Sequence, residues 1–394
     1  MTASVVDGLP RLSHTEAEHS RAVEALIRTR IKERGGWLDF EAFMDLALYA
    51  PGLGYYSAGA AKLGRGGDFI TAPELSDLFS VCVARQCAEI LARTPGGQIL
   101  EFGAGTGRMA ATVLECLARL DALPARYAIL EVSADLRARQ RERIGRLPAA
   151  LAARVVWLDA WPTTPIRGAV LANEVLDALP CQRFVLRHDG VHALGVAAAT
   201  EGALIEQERP ADSALQAEIA AIAHGLPAPL PLGYRSEICP RVEGWIAGAA
   251  QCLAQGAILI FDYGLPRAHY YHPQRCTGTL RCHFKQRVHD DPLINLGVQD
   301  ITAWVDFTRV AHAADAGGLE VLGFSTQAAF LLGTGIDSLA DPDAGPAARA
   351  RWVSEARQLL LPGEMGEAFK VMVLGRALDG PLCGFAHQDL RHSL

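Results

Sequence analysis

The spacing of apolar residues changes at about residue 97, and the change predicts the fold class. From there on, short apolar runs of strand length alternate with stretches in which apolar residues recur every three or four positions. This alternation is typical of an α/β protein whose parallel sheet carries helices on both faces. It predicts strands near residues 98–102, 127–131, 154–158, 168–172, 256–262 and 319–324, and a final strand over residues 367–376.

The chain before the first predicted strand has helical spacing instead. Ser13 and Glu16 form a Ser-x-x-Glu capping box, which predicts the start of a first helix. A second helix is predicted over residues 39–49. Pro73 suits a first helical position, and the apolar spacing after it predicts a third helix to about Arg93.

Two stretches interrupt the alternation of strands and helices. A β-hairpin is predicted around His188-Asp189-Gly190, which apolar residues flank on both sides. Residues 209–235 are rich in alanine and proline. The predicted domains are an N-terminal helical cap (13–95), a parallel-sheet core (96–182 and 256–376), insertions that form a substrate-side lobe (183–255 and 265–300) and a loosely ordered tail (377–394).

Composition and charge narrow the function classes. The chain has 394 residues, half of them apolar, which is enough for a large core and two lobes. The net charge is −7 and there is no long basic run, so we expect neither nucleic-acid binding nor membrane binding. No apolar run approaches the ~18–20 residues of a membrane span. The N-terminal segment lacks a hydrophobic signal core, and Asp7, Glu16 and Glu18 argue against a transit peptide, so we predict a cytoplasmic protein.

The cysteines and histidines give no sign of a metal site. The nine cysteines are scattered, and no Cys-x-x-Cys occurs. An odd count without a regular framework predicts free thiols in a reducing compartment. His283 and His289 lie near carboxylates, but their spacing matches no zinc signature, so we expect no metal.

The sequence Glu-Phe-Gly-Ala-Gly-Thr-Gly at residues 101–107 carries the strongest chemical signal. An apolar run leads into an acid, three alternate glycines and a helix-like stretch, which predicts a strand, a tight turn and a helix N-terminus. A dinucleotide brings a pyrophosphate to such a turn and usually meets Gly-x-Gly-x-x-Gly. Here the spacing differs, and Glu101 would repel a phosphate. A cationic ligand suits Gly103, Gly105 and Gly107 better, and S-adenosylmethionine carries both a sulfonium and an ammonium group.

Acids follow four successive predicted strands. Because the carboxyl ends of the strands form the ligand crevice of an open α/β sheet, we expect these acids to line it. Glu101 can offset the positive charge of the cofactor, directly or through water, and Glu131 can accept both ribose hydroxyls. Asp159, with the backbone of Ala160, can accept the adenine amino group, and Glu174 is expected close to the methyl donor. Each acid alone is as readily a solvated residue at a strand end, but the series of four favours cofactor binding.

Longer blocks of sequence resemble a known family. They are Asn-Glu-Val-Leu-Asp-Ala-Leu-Pro at 173–180, Gly-Asp-Phe-Ile-Thr-Ala-Pro-Glu at 67–74 and the glycine turn, with further matches at 43–56, 278–282, 289–293, 300–308 and 323–327. With these blocks the chain resembles the MidA family of class I S-adenosylmethionine-dependent methyltransferases, related to the mitochondrial complex I assembly methyltransferase. The resemblance implies a seven-stranded, Rossmann-like methyltransferase sheet with an N-terminal helical region and inserted helical and β elements that cap the site. It also implies a protein substrate, since the mitochondrial member is understood to methylate an arginine of a complex I subunit.

The chemistry of arginine methylation suggests roles for the block at 173–180. The guanidinium is planar and charged, and two carboxylates can hold its fork and draw positive charge onto the nitrogens that do not attack. Glu174 and Asp177 are three residues apart, so one helical turn would place both on one face. We predict them as the substrate clamp, with Asn173 as a further acceptor. The alternative is that Asp177 caps a following helix, which Pro180 breaks.

Two further regions are expected to close the pocket. Asp68 and Thr71 precede a predicted helix, so Thr71 and the backbone amides there can approach the carboxylate of the cofactor; a structural turn is the alternative. Polar residues of the two insertions are candidates for a substrate channel, although a surface contact is the simpler interpretation of any single one. These candidates are Tyr234, Glu237, Arg281, His283, His289, Asp290 and Asp291.

Two rival functions stay open from the sequence. A nicotinamide-dependent oxidoreductase is disfavoured by the glycine spacing and by Glu101. A non-catalytic assembly protein that keeps the fold and the cofactor is supported by the large insertions, which suit a macromolecular partner. The residues alone leave the methyl acceptor open among arginine, lysine, glutamine and a small amine.

Overall fold

A computed structural model describes residues 8–58, 71–200 and 202–394. Contacts within the chain divide it into two compact units, which are described separately. The cap unit comprises Met1–Phe69, Asp177–Arg241 and Arg267–Trp304, and the sheet unit comprises Ile70–Leu176, Val242–Pro266 and Val305–Leu394.

The described residues form helices and strands that alternate along most of the chain. The helices are α1 (His14–Glu33), α2 (Phe40–Tyr49), α3 (Ala72–Leu75), α4 (Asp77–Arg93), α5 (Arg108–Arg119), α6 (Ala134–Ile144), α7 (Ala149–Ala152), α8 (Ser213–His224), α9 (Arg241–Cys252), α10 (Arg267–Tyr270), α11 (Phe307–Ala316), α12 (Gln327–Gly333), α13 (Pro346–Leu360) and α14 (Met365–Ala368). The strands are β1 (Leu38–Asp39), β2 (Gln98–Phe102), β3 (Tyr127–Leu130), β4 (Val155–Leu158), β5 (Ile166–Asn173), β6 (Gln182–Arg187), β7 (Gly190–Ala198), β8 (Leu204–Pro210), β9 (Arg235–Ile238), β10 (Leu253–Leu265), β11 (Arg281–Phe284), β12 (Arg287–His289), β13 (Asp300–Thr302), β14 (Val305–Asp306), β15 (Glu320–Thr326) and β16 (Phe369–Arg376). Short 3₁₀ turns occur at Ile336–Leu339, Cys383–Phe385 and Arg391–Ser393.

The sheet unit, over its described residues, is built around one sheet of eight strands. Seven of them follow one another in the order β15-β16-β10-β5-β2-β3-β4, and β14 pairs with β10 beside this path. Pairing is parallel from β10 to β4 and antiparallel where β16 meets β10 and β15. Along the chain, β2, β3 and β4 are added one after another toward one edge of the sheet. The next strand, β5, then pairs with the opposite side of β2. The switch point, where open α/β sheets bind their ligands, therefore lies between β2 and β5.

The core of the sheet unit explains why its central strands are apolar without alternation. Val170, Leu171 and Ala172 occupy consecutive positions of β5 and are all fully buried. Because successive side chains of a strand point to opposite faces, this burial requires cover on both faces of the sheet. Phe79 of α4 and Val113 of α5 belong to the core cluster that covers the face on which Leu171 lies.

The cap unit contains two small antiparallel sheets among its described residues. One has the order β1-β7-β6-β9, with β8 paired to β7, and the other has the order β12-β11-β13. Strands β6 and β7 form the predicted hairpin, with Arg187 opposite Gly190. Val23 and Ile27 of α1 and Phe43 of α2 belong to the apolar core of this unit.

Most predicted elements are confirmed. The strands predicted between residues 98 and 376 correspond to β2, β3, β4, β5, β10, β15 and β16. The side chains of Ser13 and Glu16 each accept a hydrogen bond from the backbone N–H of the other, as in a capping box. The α/β class is confirmed, although the sheet has eight strands because the short β14 joins it.

The helix predicted from Pro73 to Arg93 is divided in two. Ser76 has an extended backbone, with φ of −154° and ψ of 146°, and therefore ends α3. Its hydroxyl accepts a hydrogen bond from the backbone N–H of Leu78 at 3.1 Å, which caps α4. A serine that can satisfy an N–H at a helix start outweighs the continuous apolar spacing.

The limits of the two units differ from the predicted domain limits. Residues 70–95 were expected in the helical cap but belong to the sheet unit, because α4 contributes to the core of the sheet. Residues 242–255 belong to the sheet unit as well. The tail over residues 377–394 is not loosely ordered, since Leu382 is buried in the same core. The substrate-side role of the insertions stays a prediction.

Candidate functional site

The glycine turn between β2 and α5 has the geometry that the sequence predicts. Gly103, Gly105 and Gly107 have φ of 63°, 53° and 79°, which is the left-handed region that glycine adopts without steric cost. Gly107 is the N-cap of α5 and supplies no side chain to cap it. The first backbone N–H groups of α5 are therefore available as donors next to the switch point.

Glu101 lies one residue before the end of β2 and is 1% exposed. Its Oε2 accepts a hydrogen bond from the hydroxyl of Tyr127 at 2.7 Å. Burial raises the pKa of Glu101 to about 7, and the nearby charge of Glu131 acts in the same direction. A cation that approaches this acid stabilises its ionised form, as the predicted role requires.

Glu131 follows β3 and is held by two hydrogen-bond donors. Its Oε1 accepts a bond from the backbone N–H of Ser133 at 2.9 Å, and its Oε2 accepts one from the side-chain amide of Gln140 at 3.0 Å. Burial raises the pKa of Glu131, while these two bonds, a further backbone bond from Val132 and the charge of Arg137 act against the rise. Because a carboxylate has about four acceptor positions, Glu131 can still accept the two ribose hydroxyls of the prediction.

Gln140 is a site residue that the sequence reasoning missed. It is fully buried on α6, and its amide also donates to the backbone carbonyl of Gly105 at 2.9 Å. The sequence held a usable signal, because Gln140 lies midway between Leu136 and Ile144, four residues from each, on the buried face of the helix. An amide in an apolar stripe needs partners, and here it joins Glu131 to the glycine turn.

Asp159 and Ala160 lie at the exposed end of β4. Asp159 forms an ion pair with Arg137, and the hydrogen bond from Arg137 lowers the pKa of Asp159. Arg137 also donates to the backbone carbonyls of Glu131 at 3.0 Å and Leu158 at 2.8 Å. Arg137 thus ties the ends of β3 and β4 together, and the adenine contact of Asp159 and Ala160 stays a prediction.

The end of β5 combines strained backbone with buried polar atoms. Glu174 has φ of 54°, in a region that residues other than glycine rarely adopt. Its backbone N–H donates to the carbonyl of Phe261 on β10 at 2.9 Å, and Asn173 Nδ2 donates to Glu174 Oε1 at 2.9 Å. The Oδ1 atom of Asn173 is buried and has no hydrogen-bond partner within the described ranges. A buried acceptor without a donor at the switch point indicates a place for a ligand group.

The helical turn predicted after Glu174 is wrong, and so is the alternative that Asp177 caps a helix there. The segment is an irregular turn. Buried Asp262 holds it, because its carboxylate accepts bonds from the backbone N–H groups of Leu176 and Tyr263, both at 2.9 Å. Asp262 lies 86 residues from Leu176 in the chain, so local spacing gave no sign of this contact.

Asp177 belongs to the cap unit, where acids and tyrosines are close together. Burial raises the pKa of Tyr49 and Tyr56, and the charges of Asp300 and Asp177 add to this effect. The hydroxyl of Tyr56 donates to Asp300 Oδ1 at 2.9 Å, and the rings of Tyr49 and Tyr56 stack with centroids 5.4 Å apart. Carboxylates beside aromatic rings are surroundings that suit a guanidinium group.

The segment before α3 is described only in part. Asp68 lies outside the described residues. Thr71 precedes α3, and its side chain makes no capping hydrogen bond to that helix. Glu74 of α3 accepts hydrogen bonds from the side chains of Thr106 and Arg108, which attaches α3 to the glycine turn. The contact of Asp68 and Thr71 with the cofactor stays a prediction.

The candidate channel residues of the insertions lie in several places within the cap unit. Asp290 and Asp291 line a cavity of about 310 Å³, and Arg281 lies 3.4 Å from Asp290. Glu237 is fully buried and accepts hydrogen bonds from within the unit. Burial lowers the pKa of His283 to about 4, so that it is neutral at physiological pH.

Metal and membrane features were searched over the same described ranges. There, no group of three or more histidine, cysteine, aspartate or glutamate side chains is placed to hold a metal ion. No helix in this part of the chain combines the length and the apolar character that a membrane crossing needs.

The residues at the switch point fit S-adenosylmethionine. The glycine turn permits close approach of a ligand to the backbone, and Glu131 keeps acceptor positions for a ribose diol. The buried carboxylate of Glu101 can compensate positive charge.

Known proteins are similar to this chain over most of its length. Residues 82–325 match the model of a family described as "Putative S-adenosyl-L-methionine-dependent methyltransferase". The chain is similar to protein arginine methyltransferase NDUFAF7, mitochondrial, of Mus musculus, with 28% identity over 92% of this chain and 87% of the relative. It is 30% identical to the Drosophila melanogaster homolog over 78% of this chain and 72% of that protein.

Two crystal structures from Burkholderia thailandensis are similar over nearly the whole length. One, bound to S-adenosyl-homocysteine, has a TM-score of 0.93 and 40% identity, and the match covers 98% of this chain and 100% of that one. The other, a native structure, has a TM-score of 0.90 and 39% identity with the same coverage. These matches favour the methyltransferase over the nicotinamide-dependent enzyme. The first also contains the demethylated product of the expected cofactor.

The comparisons correct one expectation. The sequence predicted a cytoplasmic protein, but the curated relatives from mouse, zebrafish and fly are named as mitochondrial proteins. The cytoplasmic assignment is therefore wrong. It depended on the lack of a hydrophobic signal core and on three acids, Asp7, Glu16 and Glu18, that were taken as evidence against a transit peptide, and neither observation decides the compartment.

Proposed function

Because the chain belongs to the MidA family of S-adenosylmethionine-dependent methyltransferases, we propose that it methylates an arginine side chain of a protein. Its cofactor is S-adenosylmethionine, which supplies an electrophilic methyl group on a sulfonium. The curated relatives, named protein arginine methyltransferases, support arginine as the acceptor. We also propose that the seven-strand path of the sheet is the methyltransferase sheet and that the substrate belongs to a complex I-type respiratory assembly, as the family resemblance implies.

The cofactor is expected at the carboxyl ends of β2, β3 and β4. The glycine turn would contact its methionine part, with Glu101 compensating the positive charge. Glu131 would bind the ribose hydroxyls, since its carboxylate keeps free acceptor positions. Asp159 and Ala160 would contact the adenine, and Asp68 and Thr71 the cofactor carboxylate.

The single observation that carries the acceptor assignment is the end of β5. There a buried, unpartnered Asn173 Oδ1 stands beside Glu174, whose backbone is held in the left-handed region. Strained residues cluster at active sites, and a buried acceptor without a donor beside one is explained by a ligand group that binds there. An arginine side chain presents five N–H donors and suits such acceptors.

In this proposal Glu174, Asn173 and Asp177 hold the guanidinium and orient one nitrogen. Two carboxylates draw positive charge onto the nitrogens that they bind, and the remaining nitrogen keeps more of its lone pair for attack. Orientation of this kind is worth on the order of 7–11 kcal/mol in well-placed intramolecular reactions.

Transfer of a labelled methyl group tests the proposal directly. Purified protein is incubated with labelled S-adenosylmethionine and lysate from a deletion strain, and modified peptides are identified by mass spectrometry. We expect label on arginine of one or a few proteins, and none with the Glu174→Gln variant. Cofactor binding without transfer to any protein would favour the non-catalytic assembly function. Label on lysine or glutamine would overturn the arginine assignment and leave the methyltransferase intact.

A further inference from the structure

Gln140 occupies a position where the pattern of its helix calls for an apolar residue. The other buried residues of α6 are Leu136 and Ile144, one helical turn before and one after it. Burying a primary amide in such a stripe is costly unless its donors and acceptor are paired. Its place in the core therefore indicates a specific task for the side chain.

The side-chain amide of Gln140 is paired in one orientation. Nε2 donates to the carbonyl of Gly105 at 2.9 Å and to Glu131 Oε2 at 3.0 Å. Oε1 accepts a hydrogen bond from the indole N–H of Trp157 at 3.0 Å. A flipped amide would set its oxygen against two acceptors and its NH₂ group against a donor, so the three partners fix the orientation.

The helix that carries Gln140 also touches the glycine turn directly. A Cβ at Gly107 would lie 3.2 Å from both Cα and Cγ of Gln140, which is tighter than ordinary contact. One residue thus joins the glycine turn, the acid after β3 and Trp157 on β4.

We propose that Gln140 is a positioning residue, which sets the orientation and the ionised state of Glu131 for the ribose hydroxyls and fixes its distance from the glycine turn. A glutamine can do this because it donates to Glu131 and stays neutral. A glutamate at this position would oppose Glu131 with a second negative charge. The inference rests on the assignment of the cofactor to this site, and not on the arginine acceptor.

The substitution Gln140→Glu separates this task from a purely structural one. We expect the Kd for S-adenosyl-homocysteine, measured by calorimetry, to rise on the order of tenfold at about pH 8, where both carboxylates are ionised. As the pH is lowered, the ratio of variant to wild-type Kd should fall toward one, because a proton shared by the two acids restores a hydrogen-bond donor between them. The ratio cancels the titration of Glu101 on β2, and the other charged group that acts on Glu131 is Arg137 on α6.

A second buried glutamine of the sheet unit provides the matched control. Gln86 of α4 is fully buried, donates to Glu89 Oε2 at 2.7 Å and accepts from the backbone N–H of Gly384 at 3.0 Å. Gln86→Glu introduces the same like-charge contact beside Glu89. We expect it to lower the melting temperature and to leave the Kd for S-adenosyl-homocysteine unchanged.

A neutral variant keeps the proposal testable if Gln140→Glu does not fold. Gln140→Met preserves the length of the side chain and removes every hydrogen bond, so we expect a higher Kd at all pH values. The proposal is overturned if the Gln140→Glu ratio is constant with pH, or if Gln140→Met binds like the wild type. If the wild-type protein does not bind S-adenosyl-homocysteine, the assignment of the cofactor to this site is refuted. That result is distinguishable from failure of the Gln140 proposal, which requires a wild type that binds.

Discussion

Each unit of the molecule buries a carboxylate in a polar cluster, and the two carboxylates differ in the groups that surround their oxygens. The Glu131 cluster of the sheet unit consists of Glu131, Ser133 and Gln140, and the Glu237 cluster of the cap unit consists of Glu237, Thr279 and Arg183. Glu131 is 6% exposed and Glu237 is 1% exposed. Burial alone therefore does not distinguish them, although the sequence offered both acids as candidates for a ligand site.

The protein itself encloses the Glu237 cluster, although Glu237 Oε1 and Arg183 Nε are buried without a hydrogen-bond partner among the described residues. Glu237 Oε2 accepts bonds from the backbone N–H of Thr279 at 2.7 Å and from its hydroxyl at 3.2 Å, and Arg183 Nε lies 3.5 Å from Oε1. A Cβ at Gly278 would lie 2.3 Å from Oε1, so the backbone also blocks this side. Glu131 Oε1 accepts a bond from Ser133 and Oε2 accepts one from Gln140, and the residue lies at the carboxyl end of β3, where we expect the cofactor. A buried acid indicates a ligand site only where its remaining acceptor positions are open.

The largest expected effect concerns the closed cluster. Glu237→Ala leaves Arg183 without its buried counter-charge, and breaking such a pair costs about 3–5 kcal/mol of unfolding free energy. Denaturant unfolding measures this loss. Glu206→Gln is the control, because Glu206 also pairs with Arg183 but is 29% exposed, and we expect a loss of at most about 1 kcal/mol. Equal losses in the two variants would show that the Glu237 cluster is not a structural one.

A substitution in the Glu131 cluster is expected to change the Kd for the cofactor more than the free energy of unfolding. Glu131→Gln weakens hydrogen bonds between a charged acceptor and the ribose, so we expect the Kd for S-adenosyl-homocysteine to rise by about 10- to 100-fold. Calorimetry measures the Kd, and the unfolding free energy should change by less than in Glu237→Ala. Glu142→Gln, in an exposed ion pair of α6, is the control and should bind like the wild type. If Glu131→Gln also binds like the wild type, the cofactor does not use this carboxylate.

The pKa of Glu101 predicts a pH dependence of smaller size. Its folded pKa of about 7 is raised by burial above the value of an unfolded chain. Glu101 in the free protein therefore favours the folded state most at low pH, and this contribution is lost as pH rises through about 7. A cationic cofactor prefers the ionised acid, so its affinity should increase about tenfold from pH 6 to pH 8.

The variant Glu101→Gln removes this titration and serves as the reference. The ratio of wild-type to variant affinity for S-adenosylmethionine, measured at pH 6, 7 and 8, cancels the ionisation of the cofactor. We expect the ratio to rise with pH and to level off above the pKa. A ratio that does not depend on pH would show that Glu101 does not face the positive charge.

The contrast between the clusters also shows what the sequence could predict. The glycine turn followed from three alternate glycines because their left-handed φ values are a local property. The contacts that hold the site are not local: Gln140 lies 35 residues from Gly105, and Asp262 lies 86 from Leu176. Spacing along the chain cannot reveal such pairs without the order of the strands.

The wrong helix after Glu174 has the same origin. The spacing of two acids by three residues fits a helical turn, but the backbone at Glu174 has φ of 54° and cannot start one. Its N–H donates to Phe261 on the neighbouring strand. A tertiary hydrogen bond thus outweighs the local preference for a helical turn at Glu174, which is a residue of the proposed substrate clamp.

The smallest effect is expected where the acid is exposed. The side chain of Asp159 is 89% exposed and pairs with Arg137, and ion pairs in water contribute little. Asp159→Asn should leave the melting temperature unchanged and raise the Kd for S-adenosyl-homocysteine by no more than about threefold, since a neutral amide oxygen can still accept from an adenine amino group. Calorimetry measures the Kd of Asp159→Asn and of a second variant, Asp159→Ala, which removes the acceptor oxygen altogether. If both variants lose binding as strongly as Glu131→Gln, exposure does not predict which acids the cofactor uses, and the distinction between open and closed clusters needs a further criterion.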